Sequence, residues 1–371
     1  MRNRLSYWKW MMLLGIVIAL LNLLALSNRF VEAHHLHIYS GIAGCYGKLT
    51  EFIPVNVGEI MMYAAAGFVI LHVALLVALI FLRSKERYRT FVKRYSKGML
   101  LGTAVVLLVY TITWSVPFHY SIDLSGDAVA EYTLGDLEEL RTYIVETLNE
   151  AADEIDRDED GNIIYDEDME ELVTGAMQEI SDEFPYLKGE YPSWKAAYCS
   201  DFLEWMNIAG YTYPYTMEVT YNKYTMSLYV PVLMAHEMSH HKGYYKEDDA
   251  NFLSEIACIK SGEPYLVYSG CLDAYYYVDK AYKQALYSSL DEETADALWQ
   301  ERQLASAQVG EDLAANREAK QKAYDAEEHA AESFSQAAQS VSEVGWDVQS
   351  DILEEDCYDG VVGLLLQYDM K

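Results

Sequence analysis

The chain has 371 residues, 51% of them hydrophobic, and a net charge of -31, which is enough apolar material for a substantial core and enough length for two or three domains. The charge is divided unevenly: up to Val116 there are 12 Lys and Arg against 4 acids, and beyond it 15 against 54. Such a division is expected of a membrane anchor joined to an acidic domain. That domain repels phosphate backbones, which argues against nucleic-acid binding and favours cationic partners such as divalent metals.

In chain order, three apolar runs are long enough to cross a bilayer, at about 10–26, 60–82 and 99–116, interrupted by little more polar than Asn22 and His72. They define an anchor domain over 1–116. His72 is expected to be a neutral imidazole bonded to a neighbouring helix. Arg83, Lys85, Arg87, Arg89, Lys93, Arg94 and Lys97 lie between the second and third runs, and Arg2, Arg4 and Lys9 precede the first. The positive-inside bias predicts a multi-pass cell-membrane protein with a cytoplasmic N-terminus, with 27–59 and everything after Val116 outside. Ala25-Leu26-Ser27 also resembles a leader cleavage pattern, but the two further spans place the large domain outside either way.

Beyond the anchor, 117–371 reads as an extracytoplasmic domain. Leu137, Leu140, Tyr143, Ile144 and Leu148 recur at helical spacing within 134–155, and a second helical pattern covers 169–180. Between them, 156–167 fits a 12-residue EF-hand loop for Ca2+. Its ligand positions are Asp156, Asp158, Asp160, Asn162 (through its carbonyl) and Glu167, with Gly161 at the sharp turn. A solvated acidic loop would read the same way. The tyrosine-rich stretch 211–232, punctuated by Pro214 and Pro231, suits short strands, one at a sheet edge, and 228–234 has edge-strand character. Residues 233–258 are helical with one break, and 291–344 form a long helical region. Cys199, Cys258, Cys271 and Cys357 make an even set in a compartment where disulfides persist. The expected fold is therefore three transmembrane helices plus a mainly α (α+β) domain with a small sheet.

The chemistry is concentrated in Ala235-His236-Glu237-Met238-Ser239-His240-His241-Lys242-Gly243. His236 and His240 are four residues apart in an HExxH string and share one helix face, so two imidazoles can bind one Zn2+ while Glu237 reaches the water beside it. An exposed helix with two surface histidines would produce the same string, and His241 points elsewhere, towards the surface or a substrate. A third ligand is needed. In an unbroken helix Glu247 would lie about 16 Å from His236 along the axis, so the chain must turn, and Gly243 can end the helix in a left-handed conformation. Glu247 on a following helix is then the predicted third ligand, with Asn251 as a partner holding a histidine or the glutamate. Glu255 competes for the ligand role, and Asp248 and Asp249 are more distant candidates.

From His236 to Phe252 the chain matches HExxHxxGxxxExxANF at every specified position. It thereby resembles a bacterial membrane-protein family of unknown function with N-terminal transmembrane helices and a zincin-type motif. The resemblance extends to Lys195 through Ser200, to Gly210 through Asn222, to Tyr268 through Ala274 and to Tyr358 through Leu366. The ExxA-Asn element is similar to that of glutamate-ligand zincin peptidases, which implies Glu247 as ligand and a zincin-like domain, although the gap after His240 is shorter here. Glu218 and Asn222 are expected near a strand where a substrate backbone could pair, or in a turn. The expected function is zinc-dependent hydrolysis of extracytoplasmic peptides or proteins, with Glu237 as general base. The alternative is a non-catalytic sensor or scaffold with a structural or degenerate zinc site.

Overall fold

The computed structural model describes residues 2–119, 124, 132–159, 163–164, 168–327 and 359–368. They fall into two compact units, one of 1–120 with 213–218 and one of 121–212 with 219–371.

The first unit is built of α1 (Arg2–Leu24), α2 (Asn28–His34), a π turn His35–Tyr39, α3 (Ser40–Glu51), α4 (Val57–Leu82) and α5 (Glu86–Tyr110). A second π turn, Thr111–Ser115, leads into α6 (Val116–Phe118). Among the described residues, three stretches are long and apolar enough to cross a membrane: Tyr7–Leu24, Val57–Leu82 and Glu86–Phe118. Their large side chains face outward, Ile70 at 70% and Phe81 at 79% exposure, as suits helices whose solvent is lipid. Residues 28–51 are mostly helical, and the basic stretch after Lys85 forms the first turns of α5.

Only Arg83, Ser84 and Lys85 separate α4 from α5, so the two run antiparallel. The Tyr88 hydroxyl donates to the Leu75 carbonyl (2.8 Å) and the Tyr95 hydroxyl to that of Phe68 (3.1 Å). His72 stacks on the Tyr95 ring, with centroids 5.6 Å apart. α1 runs parallel to α5, since Tyr7 donates to the Lys97 carbonyl and Ser115 to the Asn22 side chain. At the start of α4, Asn56 caps the Glu59 N–H (3.0 Å), and the buried Glu218 carboxylate accepts from Val57 (3.0 Å), Gly58 (2.7 Å) and the Thr216 hydroxyl (2.7 Å). First-turn N–H groups lack intrahelical partners and carry partial positive charge, so a carboxylate there is well satisfied. Glu218 thus caps a helix.

The second unit opens with α7 (Leu134–Glu154), which starts in a capping box between Thr133 and Asp136. Then come α8 (Met169–Glu179), capped by Asp168, β1 (Trp194–Ala196), α9 (Ser200–Trp205), β2 (Gly210–Thr212) and β3 (Val219–Tyr221). The sheet order is β1-β3-β2, with β1 parallel and β2 antiparallel to β3. Next are α10 (Val230–His241), α11 (Glu247–Lys260), α12 (Pro264–Ser289), α13 (Glu292–Glu301), α14 (Ala307–Asp325) and a C-terminal helix Asp359–Gln367. The unit is mainly helical with a small three-stranded sheet.

Its core joins Leu137, Ile144 and Leu148 of α7, Met177 of α8, Met234 and Met238 of α10, Leu253 and Ile256 of α11, and Leu272 and Val278 of α12. Each fully buried aliphatic side chain stabilises the fold by about 1.5–3 kcal/mol. Arg141, also buried, is held by Asp279 at 2.7 Å, with the rings of Tyr275 and Tyr282 within 5.7 Å.

Three sequence expectations are revised in this unit, and the Ca2+ loop lies partly outside the described residues. The apolar run 228–234 is a 3-10 turn, Ser227–Tyr229, followed by the first turn of α10, where Pro231 is tolerated because that turn lacks intrahelical N–H bonds. The region 291–344 is broken at 302–306 into α13 and α14, and residues from 328 to 344 lie outside those described. Cys258 and Cys271 are free thiols, so neither pairs with the other or with Cys199, and Cys357 lies outside the described residues. Of the predicted Ca2+ ligands, Asp156 and Asp158 are described, whereas Asp160, Asn162 and Glu167 are not. α7 and α8 do flank that loop, and its base is tied by Ile164 N–H to the Asp156 carbonyl (2.9 Å) and by Arg157, whose guanidinium grips Asp312 (2.7 Å) and the carbonyls of Ala152 and Ile155.

Candidate metal centre

α10 and α11 are joined by a bend that determines the geometry of the site. The Tyr244 N–H bonds the Ser239 carbonyl (3.1 Å) and the Gly243 N–H that of His240 (2.9 Å). Gly243 takes a φ of 96°. This is a Schellman termination, in which the left-handed residue is best a glycine. α11 then starts at Glu247, with Glu247, Asp248 and Asp249 in its first turn, where the helix dipole favours acids.

The bend brings Glu247 back to the histidines. Its Oε2 lies 3.2 Å from His236 Nε2 and its Oε1 3.6 Å from His240 Nε2. The ligand atoms of His236, His240 and Glu247 lie within 4.8 Å of one another. A tetrahedral ion with bonds of about 2.0–2.1 Å holds its ligands about 3.3–3.4 Å apart, so two imidazoles and a carboxylate so disposed can bracket one divalent ion and leave a fourth position open. His240 Nδ1 faces the Tyr244 carbonyl at 2.7 Å, which makes Nδ1 the protonated nitrogen of the neutral ring and leaves the Nε2 lone pair for a metal.

Burial and charge act together on these groups. Burial pushes the Glu237 carboxyl up, with His240 and His236 opposing it. Burial also opposes ionisation of Glu247, yet the two imidazoles hold it well below the usual carboxylate range. For His240 burial is outweighed by the charge and hydrogen bond of Glu247 and the charge of Glu237, and the imidazole rises to about 9. An anionic pocket that holds a proton on a histidine is one in which a cation can replace that proton.

The remaining predicted residues are dispersed. The Asn251 amide donates to the Tyr277 hydroxyl at 3.2 Å. Glu255 is buried outside the three-residue cluster and pairs with Asp273 of α12. No donor reaches the Glu255 oxygens, so two carboxyls can meet there only by sharing a proton. Burial accordingly drives Glu255 well above its ordinary value and raises Asp273 to about 6, against the pull of His236. Asn222 anchors the turn after β3, its amide reaching Glu204 (2.9 Å) and its oxygen the Tyr224 N–H (3.0 Å). His241 is buried, with Tyr191 as a ring neighbour 6.4 Å away, instead of facing solvent or substrate. Asp249 is buried, and Asp248 packs where a Cβ on Gly360 would stand.

Sequence reasoning missed Asp273 and Thr212. Thr212 Oγ1 lies 3.1 Å from Glu237 Oε2. Asp273 carried one signal, the lone charge in the apolar and aromatic stretch 264–278 that begins its helix; Thr212 carried none.

These features define a mainly helical protein with three apolar spans and a His–His–Glu cluster able to hold a metal ion. A family model described as "Protein of unknown function (DUF3810)" matches residues 35–341, and the chain belongs to that family. No curated protein and no solved structure matches the chain.

Proposed function

We propose that the protein is a membrane-anchored zinc metallopeptidase whose zincin-like domain faces away from the cytoplasm and hydrolyses extracytoplasmic peptides or proteins. The observation that carries this reading is the convergence of His236, His240 and Glu247 beside the buried carboxyl of Glu237. The Lys and Arg bias of the N-terminus and of 83–97 supports the orientation.

A bound Zn2+ would supply Lewis acidity, drawing the pKa of water down towards about 7 and polarising a carbonyl. The protein's own groups do the rest. Glu237, with its raised pKa, is suited to accept a proton from water during attack and to return it to the departing amine. The Tyr244 carbonyl keeps His240 in the tautomer that offers Nε2. β2 is one of the two edge strands of the sheet and the one that lies on the Glu237 side of α10, so an extended backbone could be received alongside it.

A structural zinc site in a sensor or scaffold closes all four positions and has no use for a buried carboxyl beside the ligands. The deciding experiment is metal analysis with an activity screen on wild type and Glu237→Gln. The variant should keep its zinc and lose hydrolysis; equal turnover by both, or wild type without zinc, would overturn the reading.

A further inference from the structure

We propose that β2 is the positioning element for Glu237: Thr212 holds its carboxyl group and Gly210 leaves the space that the group occupies. The inference rests on Glu237 acting as general base, and it assigns roles to two residues outside the HExxH string.

Glu237 is 4% exposed, so water does little to orient it. Thr212, itself buried, places its Oγ1 2.8 Å from the Glu237 main-chain carbonyl and 3.1 Å from Glu237 Oε2. Two residues earlier, a Cβ added to Gly210 would stand 3.0 Å from Glu237 Oε1, 3.2 Å from Glu237 Cγ and 3.0 Å from the Thr220 carbonyl. Tyr211 pairs with Thr220 in the ladder between β2 and β3, so the strand cannot back away to make room. Residues i and i+2 of a strand point to the same side, and here that side meets both oxygens of one carboxyl. At Gly210 one oxygen has clearance, and at Thr212 the other has a donor.

The threonine hydroxyl has two acceptors within reach, the Glu237 main-chain carbonyl and its Oε2, so the contact to the carboxyl is additional to the one that ties β2 to α10. A threonine that only tied β2 to α10 would need the main-chain contact alone.

The test uses full-length, zinc-loaded protein in detergent, with a simple alkyl hydroxamate as probe. That ligand chelates the metal and passes its proton to an adjacent carboxylate, so its affinity reports where Glu237 stands, independently of turnover. Thr212→Val keeps the shape and removes the donor, Thr212→Ser restores it, and Gly210→Ala intrudes on Oε1. The expected result is full zinc content in all three, hydroxamate binding weakened about tenfold in Thr212→Val and Gly210→Ala, wild-type binding in Thr212→Ser, and a fall in kcat without a matching rise in KM. Wild-type binding by Thr212→Val alongside weakened binding by Glu237→Gln overturns the positioning role and leaves the general base standing. Wild-type binding and turnover by Glu237→Gln overturn both. Loss of zinc in Thr212→Val, or its failure to fold together with wild-type binding by Gly210→Ala, makes Thr212 a merely structural residue and also overturns the proposal.

Discussion

His240 and Tyr244 are bound to each other across the end of α10, imidazole Nδ1 to carbonyl at 2.7 Å, so the turn that redirects the chain also orients a ring of the His–His–Glu cluster. Both depend on Gly243 and its φ of 96°. Gly243→Ala should cost about 1–2 kcal/mol of stability, the penalty of a Cβ in the left-handed region. Zinc affinity should fall further than that, because Glu247 and His240 both move. Chemical denaturation with and without zinc separates the two effects.

The cluster distinguishes Glu247 from its rival Glu255. Glu247→Ala removes a ligand and should weaken zinc binding by more than the roughly 10–100-fold typical of outer-shell changes. Glu255→Gln replaces a protonated acid with a neutral isostere and should leave zinc affinity close to wild type. Competition titration with a chelating dye measures both, and the reverse ranking would make Glu255 the ligand.

Zinc binding should depend steeply on pH. In the metal-free protein the value of about 9 for His240 lies above its unfolded value of 6.5. Its contribution to stability is therefore fully present below 6.5 and lost as the pH climbs through about 9. Zinc has to displace that proton, so apparent affinity should rise about tenfold per pH unit between pH 7 and 9 and then level off. Calorimetry in buffers of different ionisation enthalpy should show about one proton released per zinc at pH 7.

The Glu255–Asp273 pair has the opposite influence from an ordinary salt-bridged acid. Asp273 titrates near 6 in the fold against 3.8 in an unfolded chain, so the folded state binds more protons across that window. Stability should decline as the pH rises from about 4 to 6, where native carboxylates normally strengthen the fold. Asp273→Asn should flatten that part of the melting-temperature profile, whereas an unchanged profile would show that the pair does not share a proton.

What was legible in the sequence was short-range. The four-residue spacing of His236 and His240 and the turn at Gly243 follow from helix geometry, and so the return of Glu247 could be anticipated. The start of α10 could not, since Val230, Pro231 and Val232 are as well suited to an edge strand as to a first helical turn. Contacts that close over long separations were hidden. Thr212 reaches Glu237 across 25 positions and Glu218 reaches Gly58 across 160, and nothing local announces either. The cysteines misled for a similar reason: an even count says nothing about where Cys258 and Cys271 are buried.

The two tyrosine bonds between α4 and α5 also set their heights. Tyr95 stands level with Phe68, near the midpoint of α4, and Lys93, Arg94 and Lys97 stand within about a turn of it. A hydrocarbon layer of about 30 Å centred on α4 would engulf those cations; the cheaper response is a dimpled leaflet, with lipid phosphates drawn down to meet the snorkelling side chains. The anchor should accordingly be sensitive to acyl-chain length, more heat-stable in short-chain phosphatidylglycerol than in long-chain phosphatidylcholine, and neutralising Lys93 and Arg94 should erase that preference.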